Sequence, residues 1–401
     1  MKDNWVTKSI LDIGDVISGG TPSTTINEFW DGDVVWITPA DLSKIHFPEI
    51  KTSGKKITLQ GLSSSSANLI PAGSIVMSSR APIGYFAIPS CNFSTNQGCK
   101  SVKLKVGNDA LFHYYNFQFN VNVIKRRGEG TTFAEISKKE LEKLCFTFPE
   151  SLPQQRKIAS ILSTCDEVIE KTEAAITKYQ ALKQGIMHDL FTRGIDLKTG
   201  KLRPSYQYGP ELYKESDLGM IPKGWDVRRL EDIGQINYGK DYKANPKGDN
   251  IPIYGTGGIM GWTSLVLNSG PAVLTGRKGT INRPIYIEGD FWNVDTIFCI
   301  NPRQNTNVKW FYFQMTSKDL LKLNEATGVP SVSSTALNNL KFSYPEQDEQ
   351  DEIANRINVI EKKIEREQTG LAKYQQLKTG LMQDLLTGKV EVRVAEEIVK
   401  N

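Results

Sequence analysis

The stretch KYQALKQGIMHDLFT at Lys178–Thr192 returns 195 residues later as KYQQLKTGLMQDLLT at Lys373–Thr387. Ten of the fifteen positions are identical in register, which indicates an internal duplication. The similarity continues more faintly upstream, where Ile158-Ala159 matches Ile353-Ala354. The order of these matches predicts a chain built as module, helix, module, helix.

Both repeats belong to long predicted helices that carry an apolar stripe. The apolar residues are spaced nearly alternately by four and three positions, which is typical of a coiled-coil seam. Each helix has about 38 residues, or ~57 Å at 1.5 Å per residue, too long for a small module to cover. The predicted seams are Ile158, Leu162, Cys165, Ile169, Ile176, Tyr179, Ile186 and Leu190, and Ile353, Ile357, Ile360, Ile364, Leu371, Tyr374, Leu377, Leu381 and Leu385.

Two arrangements of these helices are open. A single amphipathic helix is usually explained by ordinary core packing. Two near-identical helices in one chain instead favour an antiparallel pair with pseudo-twofold symmetry and with the modules at opposite ends. The long linker between the halves also permits other arrangements.

The modules contain short β-rich runs broken by Gly, Pro, Ser and Asn, with a few short helices. We therefore predict an α+β fold, in which two mixed α/β modules are separated by two long helices that form an antiparallel coiled coil. The predicted segments are residues 1–150 (first module), 151–192 (central helix), 193–214 (linker), 215–345 (second module), 346–390 (C-terminal helix) and 391–401 (tail).

The composition allows two buried cores but does not indicate a function. Of 401 residues, 39% are hydrophobic, and the net charge of +4 is too small to indicate a nucleic-acid binder by itself. Five cysteines without a C-x-x-C pair argue against a metal knuckle or a disulfide framework. The first residues lack a signal-peptide core, and no run approaches the ~20 apolar residues of a membrane span. We expect a cytoplasmic protein with no membrane association.

Motifs for catalysis are missing from the sequence. Gly234–Lys240 approaches a phosphate-binding loop but has Asp241 where a hydroxyl should follow. The three histidines, at 46, 113 and 188, have no ligand spacing. We therefore predict no catalytic residue and no metal site in this chain.

Basic and small polar residues recur in the predicted loops of both modules. Arginine fits the edge of guanine, lysine neutralises phosphate, and hydroxyls reach either group. One such cluster alone is typical of a solvated loop, but comparable clusters in both modules favour DNA binding. When the two modules are aligned with each other, Ser79-Arg80 matches Gly276-Arg277. The candidate DNA-binding residues are Thr38, Lys55, Ser78, Ser79, Arg80, Arg126, Arg127, Lys240, Lys243, Arg277, Lys278 and Arg283.

With the repeat, the helices and these loops together, nearly the whole chain resembles the specificity (S) subunit of a type I restriction-modification complex. The order of several stretches carries the resemblance. They are Ser18–Ser23 (SGGTPS), Trp36–Leu42 (WITPADL), Pro149–Leu162, Leu218–Trp225 (LGMIPKGW) and Leu377–Val390 (LKTGLMQDLLTGKV).

The resemblance implies a noncatalytic subunit whose modules are target recognition domains, each for one half of a split site in double-stranded DNA. It implies that the helices set the gap and dock two methyltransferase subunits, to which nuclease-translocase subunits attach. No cofactor is expected in this chain, whereas S-adenosylmethionine and ATP with Mg²⁺ are expected in the partners. The candidate partner-binding residues are Tyr179, Leu182, Met187, Leu190, Tyr374, Leu377, Met382 and Leu385.

Two alternatives stay open at this point. A coiled-coil protein scaffold without nucleic-acid binding would explain the helices, although it leaves the differing basic loops unexplained. A methyltransferase hidden in one module would bind S-adenosylmethionine in this chain alone.

Overall fold

A computed structural model describes residues 4–128 and 134–394 of the chain. The chain divides into two compact units. Unit 1 comprises Met1–Ala174 with Gln368–Asn401, and unit 2 comprises Ala175–Glu367. These units cut across the predicted segments, because each long helix is divided between them.

The module of unit 1 is a mixed α/β fold. Its strands are β1 (Trp5–Ser9), β2 (Gly14–Ser18), β3 (Trp30–Ile37), β4 (Glu49–Ile50), β5 (Lys55–Ile57), β6 (Ile75–Ser78), β7 (Phe86–Pro89), β8 (Phe93–Thr95), β9 (Cys99–Leu104) and β10 (Cys145–Pro149). Its helices are α1 (Ile10–Ile13), α2 (Pro39–Leu42), α3 (Leu59–Ser63), α4 (Ala110–Phe119), α5 (Val121–Gly128) and α6 (Lys138–Glu142), followed by the long α7 (Leu152–Thr192).

Unit 2 repeats this plan after a linker with two short hairpins. Its strands are β11 (Ile195–Asp196), β12 (Lys201–Leu202), β13 (Tyr213–Ser216), β14 (Gly219–Pro222), β15 (Asp226–Arg229), β16 (Gly234–Tyr238), β17 (Lys247–Gly255), β18 (Gly258–Thr263), β19 (Asn268–Ser269), β20 (Ala272–Gly276), β21 (Ile285–Ile287), β22 (Asp290–Asn293), β23 (Ile297–Pro302) and β24 (Lys341–Tyr344). Its helices are α8 (Leu230–Ile233), α9 (Val308–Ser317), α10 (Ser334–Asn338) and the long α11 (Gln347–Leu386).

The sheets of the two modules have the same strand order. The order β2-β9-β6-β7, extended by β4 in unit 1, corresponds to β16-β23-β20-β21 in unit 2. The order β5-β3-β8 corresponds to β18-β17-β22, and the antiparallel pair β1-β10 corresponds to β15-β24. The duplication therefore includes the modules, although little of their sequence matches.

The two long helices pack against each other in opposite directions within each unit. In unit 1, Leu385 near the end of α11 shares a core with Ile158 near the start of α7. In unit 2 the order is reversed, since Leu190 near the end of α7 shares a core with Ile353 near the start of α11. The predicted antiparallel pairing of these helices is confirmed.

Part of the predicted seam is wrong. Tyr374 and Leu377 are 40% and 54% exposed, so they lie on the outer surface of α11. Lys378 turns inward instead, and its side chain is 17% exposed. Apolar spacing alone placed the stripe about one position from the buried face in this stretch.

Each long helix is joined to its module by a buried glutamine at an equivalent position. Gln155 and Gln350, both fully buried, lie in the first turns of α7 and α11. Gln155 Oε1 accepts a hydrogen bond from the N–H of Asp109, the N-cap of α4, at 2.9 Å, and Gln350 Oε1 accepts one from Asn307, the N-cap of α9, also at 2.9 Å. Each glutamine amide also donates to the carbonyl of a proline just before its helix.

The linker of unit 2 closes over the start of α11 through a buried carboxylate. Glu349, 5% exposed, accepts hydrogen bonds from Arg203 Nη2 and Trp225 Nε1, both at 3.0 Å. It also accepts the backbone N–H of Ile195 at 2.7 Å. One side chain therefore ties the linker after α7 and the second module to α11.

A buried histidine should make unit 1 sensitive to acid. His113 of α4 is fully buried, with its ring against Phe112, Phe117 and Phe148, and burial lowers the pKa of its imidazole from 6.5 to about 3. Between these values the unfolded chain takes up a proton that the folded chain cannot accept. The free energy of unfolding should therefore fall by up to about 1.4 kcal/mol for each pH unit as the pH drops through this window.

Thermal unfolding between about pH 4 and 7 tests this expectation. His113→Phe should reduce the pH dependence of stability, whatever its effect at neutral pH. The control His188→Phe changes an exposed histidine and should leave the dependence as it is. Equal dependence in the His113→Phe and unchanged proteins would contradict the assignment.

Candidate nucleic-acid interface

In unit 1, Arg80 is exposed just beyond β6 and lies over an ionic cluster. Its Nε donates to Glu135 Oε2 at 2.9 Å. Lys100 of β9 is only 4% exposed, and its Nζ donates to the other Glu135 oxygen at 3.3 Å and to Ser79 Oγ at 3.1 Å. The cluster holds Arg80 by a single carboxylate, so much of its guanidinium stays available at the surface.

The same cluster shifts two pKa values. Burial lowers the pKa of Lys100, and Glu135 offsets part of that shift. Burial alone would raise the pKa of Glu135, but hydrogen bonds from Arg80 and Lys100 outweigh it and lower that pKa. The charged form of each group is therefore stabilised by the other: Glu135 offsets part of the cost of burying the Lys100 ammonium, and Lys100 helps to keep Glu135 ionised.

Two of the stretches that resemble S subunits, Ser18–Ser23 and Trp36–Leu42, meet the Arg80 loop at one turn, residues 95–98. Gly20 donates its N–H to the carbonyl of Thr95 at 2.9 Å, and Trp36 Nε1 donates to the carbonyl of Gly20 at 3.0 Å. Ser79 donates its N–H to the carbonyl of Gly98 at 2.8 Å. The backbone therefore brings these sequence-distant stretches to one edge of the module.

Three predicted hydroxyl contacts are used by the fold instead. Ser78 and Ser79 are fully buried. Ser78 Oγ donates to the carbonyl of Pro82 at 2.8 Å, and Thr38 caps α2 and donates to Asp41 Oδ2 at 2.6 Å. These hydroxyls are therefore not proposed as DNA contacts, because two are buried and the third caps a helix.

The other predicted cations of unit 1 are exposed, but not all lie in loops. Arg126 and Arg127 lie in the last turn of α5 and not in a loop. This helix packs closely against the Arg80 loop, because a Cβ added at Gly128 would lie 2.5 Å from Ile83 Cδ1. Lys55 lies on β5, with its Nζ 5.5 Å from the ring centroid of Trp30.

In unit 2, Arg277 is exposed above an aromatic ring. Its guanidinium carbon lies 5.5 Å from the centroid of Tyr238, and its Nη1 donates to the carbonyl of Asp295 at 3.3 Å. The Tyr238 hydroxyl is 2.8 Å from Ser334 Oγ. Exposed Lys278 follows directly in the chain, so this edge of the module presents two adjacent cations, one of them over an aromatic ring.

The remaining predicted cations of unit 2 divide between two places. Lys240 and Lys243 are exposed between β16 and β17, where the N–H of Lys240 donates to the carbonyl of Asn293 at 3.0 Å. Arg283 instead lines a cleft of about 400 Å³ that Glu361 and Glu365 of α11 also line. Arg283 therefore lines a cleft that carboxylates of α11 share.

The predicted alignment of the two basic loops is wrong by one residue. Arg80 forms an isolated antiparallel bridge with Glu135, and Lys278 forms the equivalent bridge with Ser331. Lys278 therefore corresponds to Arg80, whereas Arg277 corresponds to the buried serine before it. The sequence alignment matched the two arginines by residue type, and the diverged loops are too short to reveal the shift.

The predicted partner-binding residues divide into exposed and buried sets. Exposed at 40% or more are Leu182, Tyr374 and Leu377. Buried in cores or packed against them are Met187, Leu190, Met382 and Leu385. Tyr179 is half-buried, with Lys363 Nζ 5.9 Å from its ring centroid. Only the exposed set can offer a surface to another chain.

Lys100, Glu135 and Tyr238 are functional candidates that sequence reasoning missed. Lys100 stands two positions before the buried Val102 in β9, so a charged residue at an inward strand position was a usable signal. Glu135 offered no such signal, because its role depends on a loop meeting β9 across the module.

Neither a metal centre nor a membrane span is found in residues 4–128 and 134–394. No three or more His, Cys, Asp or Glu side chains there are grouped to hold an ion. No helix in the same residues combines the length and the apolar character needed to cross a bilayer.

The Lys100–Glu135 pair should respond as a buried ion pair. Glu135→Ala leaves a nearly buried ammonium without its carboxylate, so we expect a loss of roughly 1–3 kcal/mol in the free energy of unfolding. Adding Lys100→Met should recover much of that loss, because the unpaired charge is removed. Chemical denaturation of the single and double variants measures the coupling, and additive losses would show that the pair does not interact.

These features define a class of protein with two basic-surfaced modules joined to a pair of antiparallel helices. The chain belongs to the family of the type I restriction modification DNA specificity domain, whose family model matches residues 2–178 and 222–375.

Two relatives and one solved structure are similar to this chain. The MjaIX specificity subunit of Methanocaldococcus jannaschii is 36% identical over 241 residues, which cover 59% of this chain and 53% of that protein. The MjaVIII specificity subunit of the same organism is 27% identical over 73% of each chain. The S subunit of a type I restriction-modification system from M. genitalium has the same fold, with a TM-score of 0.67, 17% identity and coverage of 96% of this chain and 97% of that chain.

Proposed function

We propose that this chain is the noncatalytic DNA-recognition subunit of a type I restriction-modification complex. The observation that carries the proposal is the pair of exposed cations, Arg80 and Lys278, at equivalent backbone positions of two modules with one strand order. Such side chains can reach phosphates and base edges of double-stranded DNA.

The two modules offer different surfaces around that shared position. In the strand register, Lys100 of β9 lies opposite Ser18 of β2. At the equivalent place in unit 2, Phe298 of β23 lies opposite Tyr238 of β16. An ionic cluster and an aromatic platform favour different base edges. We therefore infer that each module recognises one half of a bipartite, asymmetric site and that the long helices set the gap.

The chemistry of the complex would belong to its partners. Methyl transfer would draw on S-adenosylmethionine in two methyltransferase subunits, and cleavage would draw on ATP and Mg²⁺ in nuclease-translocase subunits attached through them. The complex would act in the cytoplasm, where its DNA substrate lies.

DNA binding by the complex assembled with its methyltransferase subunits tests the proposal. The logarithm of the affinity should fall with the logarithm of salt concentration, with a slope of about −0.9 for each phosphate neutralised. Arg80→Ala and Lys278→Ala should each weaken recognition of one half-site only, by ~1–3 kcal/mol if they contact bases. The control Lys171→Ala changes an exposed lysine of α7 and should leave the half-site preference unaltered.

Two outcomes of this experiment would contradict the proposal. A salt-independent affinity without sequence preference would instead favour a protein scaffold. Equal weakening at both half-sites by either variant would give that residue a structural role.

The repeated segments support two copies of one partner. Residues 177–185 of α7 and 372–380 of α11 are mostly exposed, and both contain the most similar part of the duplication. Apart from Tyr179, Lys183 and Lys378, which are partly buried, the residues of both segments are exposed, so burial does not require their identity. A surface presented twice fits two identical chains, and we infer that these are the methyltransferase subunits.

Replacing one exposed leucine should therefore remove one partner. Leu182→Asp and Leu377→Asp each place a charge on one of the repeated surfaces, so each variant should assemble with a single methyltransferase subunit, and the double variant with none. Native mass spectrometry measures the stoichiometry. The control Val359→Asp changes a residue of α11 that is 58% exposed outside the repeated segment. Unchanged stoichiometry in the double variant would contradict docking at this surface.

A further inference from the structure

The same ion pair occurs twice between the long helices. In unit 1, Asp166 of α7 pairs with Lys378 of α11, with side chains 7% and 17% exposed. In unit 2, Lys183 of α7 pairs with Glu361 of α11, with side chains 19% and 25% exposed. The 195-residue offset of the duplication relates Asp166 to Glu361 and Lys183 to Lys378. Both helices therefore carry one acid and one base at matched positions.

Each pair is also in contact with an aromatic residue of its module. The Tyr115 hydroxyl of α4 donates to Asp166 Oδ2 at 2.6 Å, and Lys378 Nζ lies 5.5 Å from the Tyr115 ring centroid. In unit 2, Lys183 Nζ lies 5.5 Å from the ring centroid of Phe313 of α9. Both pairs are thus enclosed by three elements, which reduces their exposure to solvent screening.

Cores shared with the modules hold the ends of the helix pair, but along the seam between the helices the apolar residues do not by themselves fix the register. A slip of one heptad keeps apolar residues opposite apolar residues, because the seam repeats every seven positions. The charged residues do not tolerate that slip. It would put Asp166 opposite Leu371 or Leu385, and Glu361 opposite Ile176 or Leu190.

Charges moved against apolar side chains lose their partner while they stay partly buried. An uncompensated buried charge is strongly unfavourable, whereas replacement of a whole buried ion pair by apolar residues is often neutral for stability. A single polar position in a coiled-coil seam can specify the register at a cost in stability. The paired charges therefore suit a role in specificity of alignment.

We propose that Asp166–Lys378 and Lys183–Glu361 are positioning pairs that fix the register of α7 against α11 and, through it, the gap between the recognised half-sites. The inference rests on the proposed function, because the gap has meaning only for a bipartite DNA site. The four residues act through the helices and touch no base.

The test uses the complex assembled with its methyltransferase subunits and DNA duplexes in which the gap between the two half-sites changes one base pair at a time. The apolar variant carries Asp166→Leu, Lys378→Met, Lys183→Met and Glu361→Leu. It should keep its helicity and its half-site sequences but lose at least about tenfold of its preference for one gap, since an alternative register becomes accessible. The unchanged protein should bind one gap best.

Two further variants keep the test decisive if the apolar variant does not fold. Lys183→Glu alone places a second carboxylate opposite Glu361, and the repulsion should weaken the preference for one gap. Adding Glu361→Lys restores an ion pair of reversed sense and should restore the preference. The control Glu167→Gln with Lys171→Met removes an exposed pair within α7 and should change nothing.

The outcomes separate the two proposals. If the apolar variant folds and keeps the gap preference of the unchanged protein, or if Glu361→Lys fails to rescue Lys183→Glu, the register proposal is overturned while DNA recognition stands. If the unchanged complex shows no sequence preference at any gap, the proposed function itself is overturned.

Discussion

Helices of 41 and 40 residues persist in water only if their apolar faces are covered, because tertiary packing supplies most of the stability of a protein helix. In unit 1, the core that holds Ile158 of α7 and Leu385 of α11 also holds Phe112 and Phe148 of the module. The core of unit 2 combines helix and module residues in the same way. Module folding and helix pairing are therefore one process in each unit, and a cut at the module boundary would expose both surfaces.

This shared core explains why the two modules differ in their surface residues but keep the same strand order. The joint between helix and module uses a buried glutamine, Gln155 or Gln350, that forms hydrogen bonds with backbone groups. Backbone groups do not depend on the neighbouring side chains. Residues at the basic edges could therefore change freely, as Lys100 and Phe298 at one backbone position illustrate.

The sequence predicted the architecture well because its signals are periodic or repeated. The duplication and the apolar spacing were enough to predict two long helices and their antiparallel pairing. The prediction was wrong at Tyr374 and Leu377, since a repeat can be maintained by an exposed surface as well as by a core. Nothing in the linker sequence indicated that Arg203 would bind Glu349, because that contact joins residues far apart in the chain.

The candidate interface was predictable only in part. Exposed cations such as Arg80 and Arg277 follow from composition and loop position, and both are at the surface. The burial of Ser78 and Ser79 and the one-residue shift between the loops depend on strand register, which short diverged sequences do not reveal. Long-range pairing, such as Lys100 with Glu135, is set by the tertiary fold.

The duplicated outer surface of α7 and α11 also constrains how this gene can evolve. If one kind of partner docks at Leu182 and at Leu377, a mutation in that partner alters both contacts at once. This chain would then need two separate compensating codon changes, one in each half. Coevolution at such a surface should be slower than at a surface presented once, while the recognition edges, each present in a single version, remain free to drift.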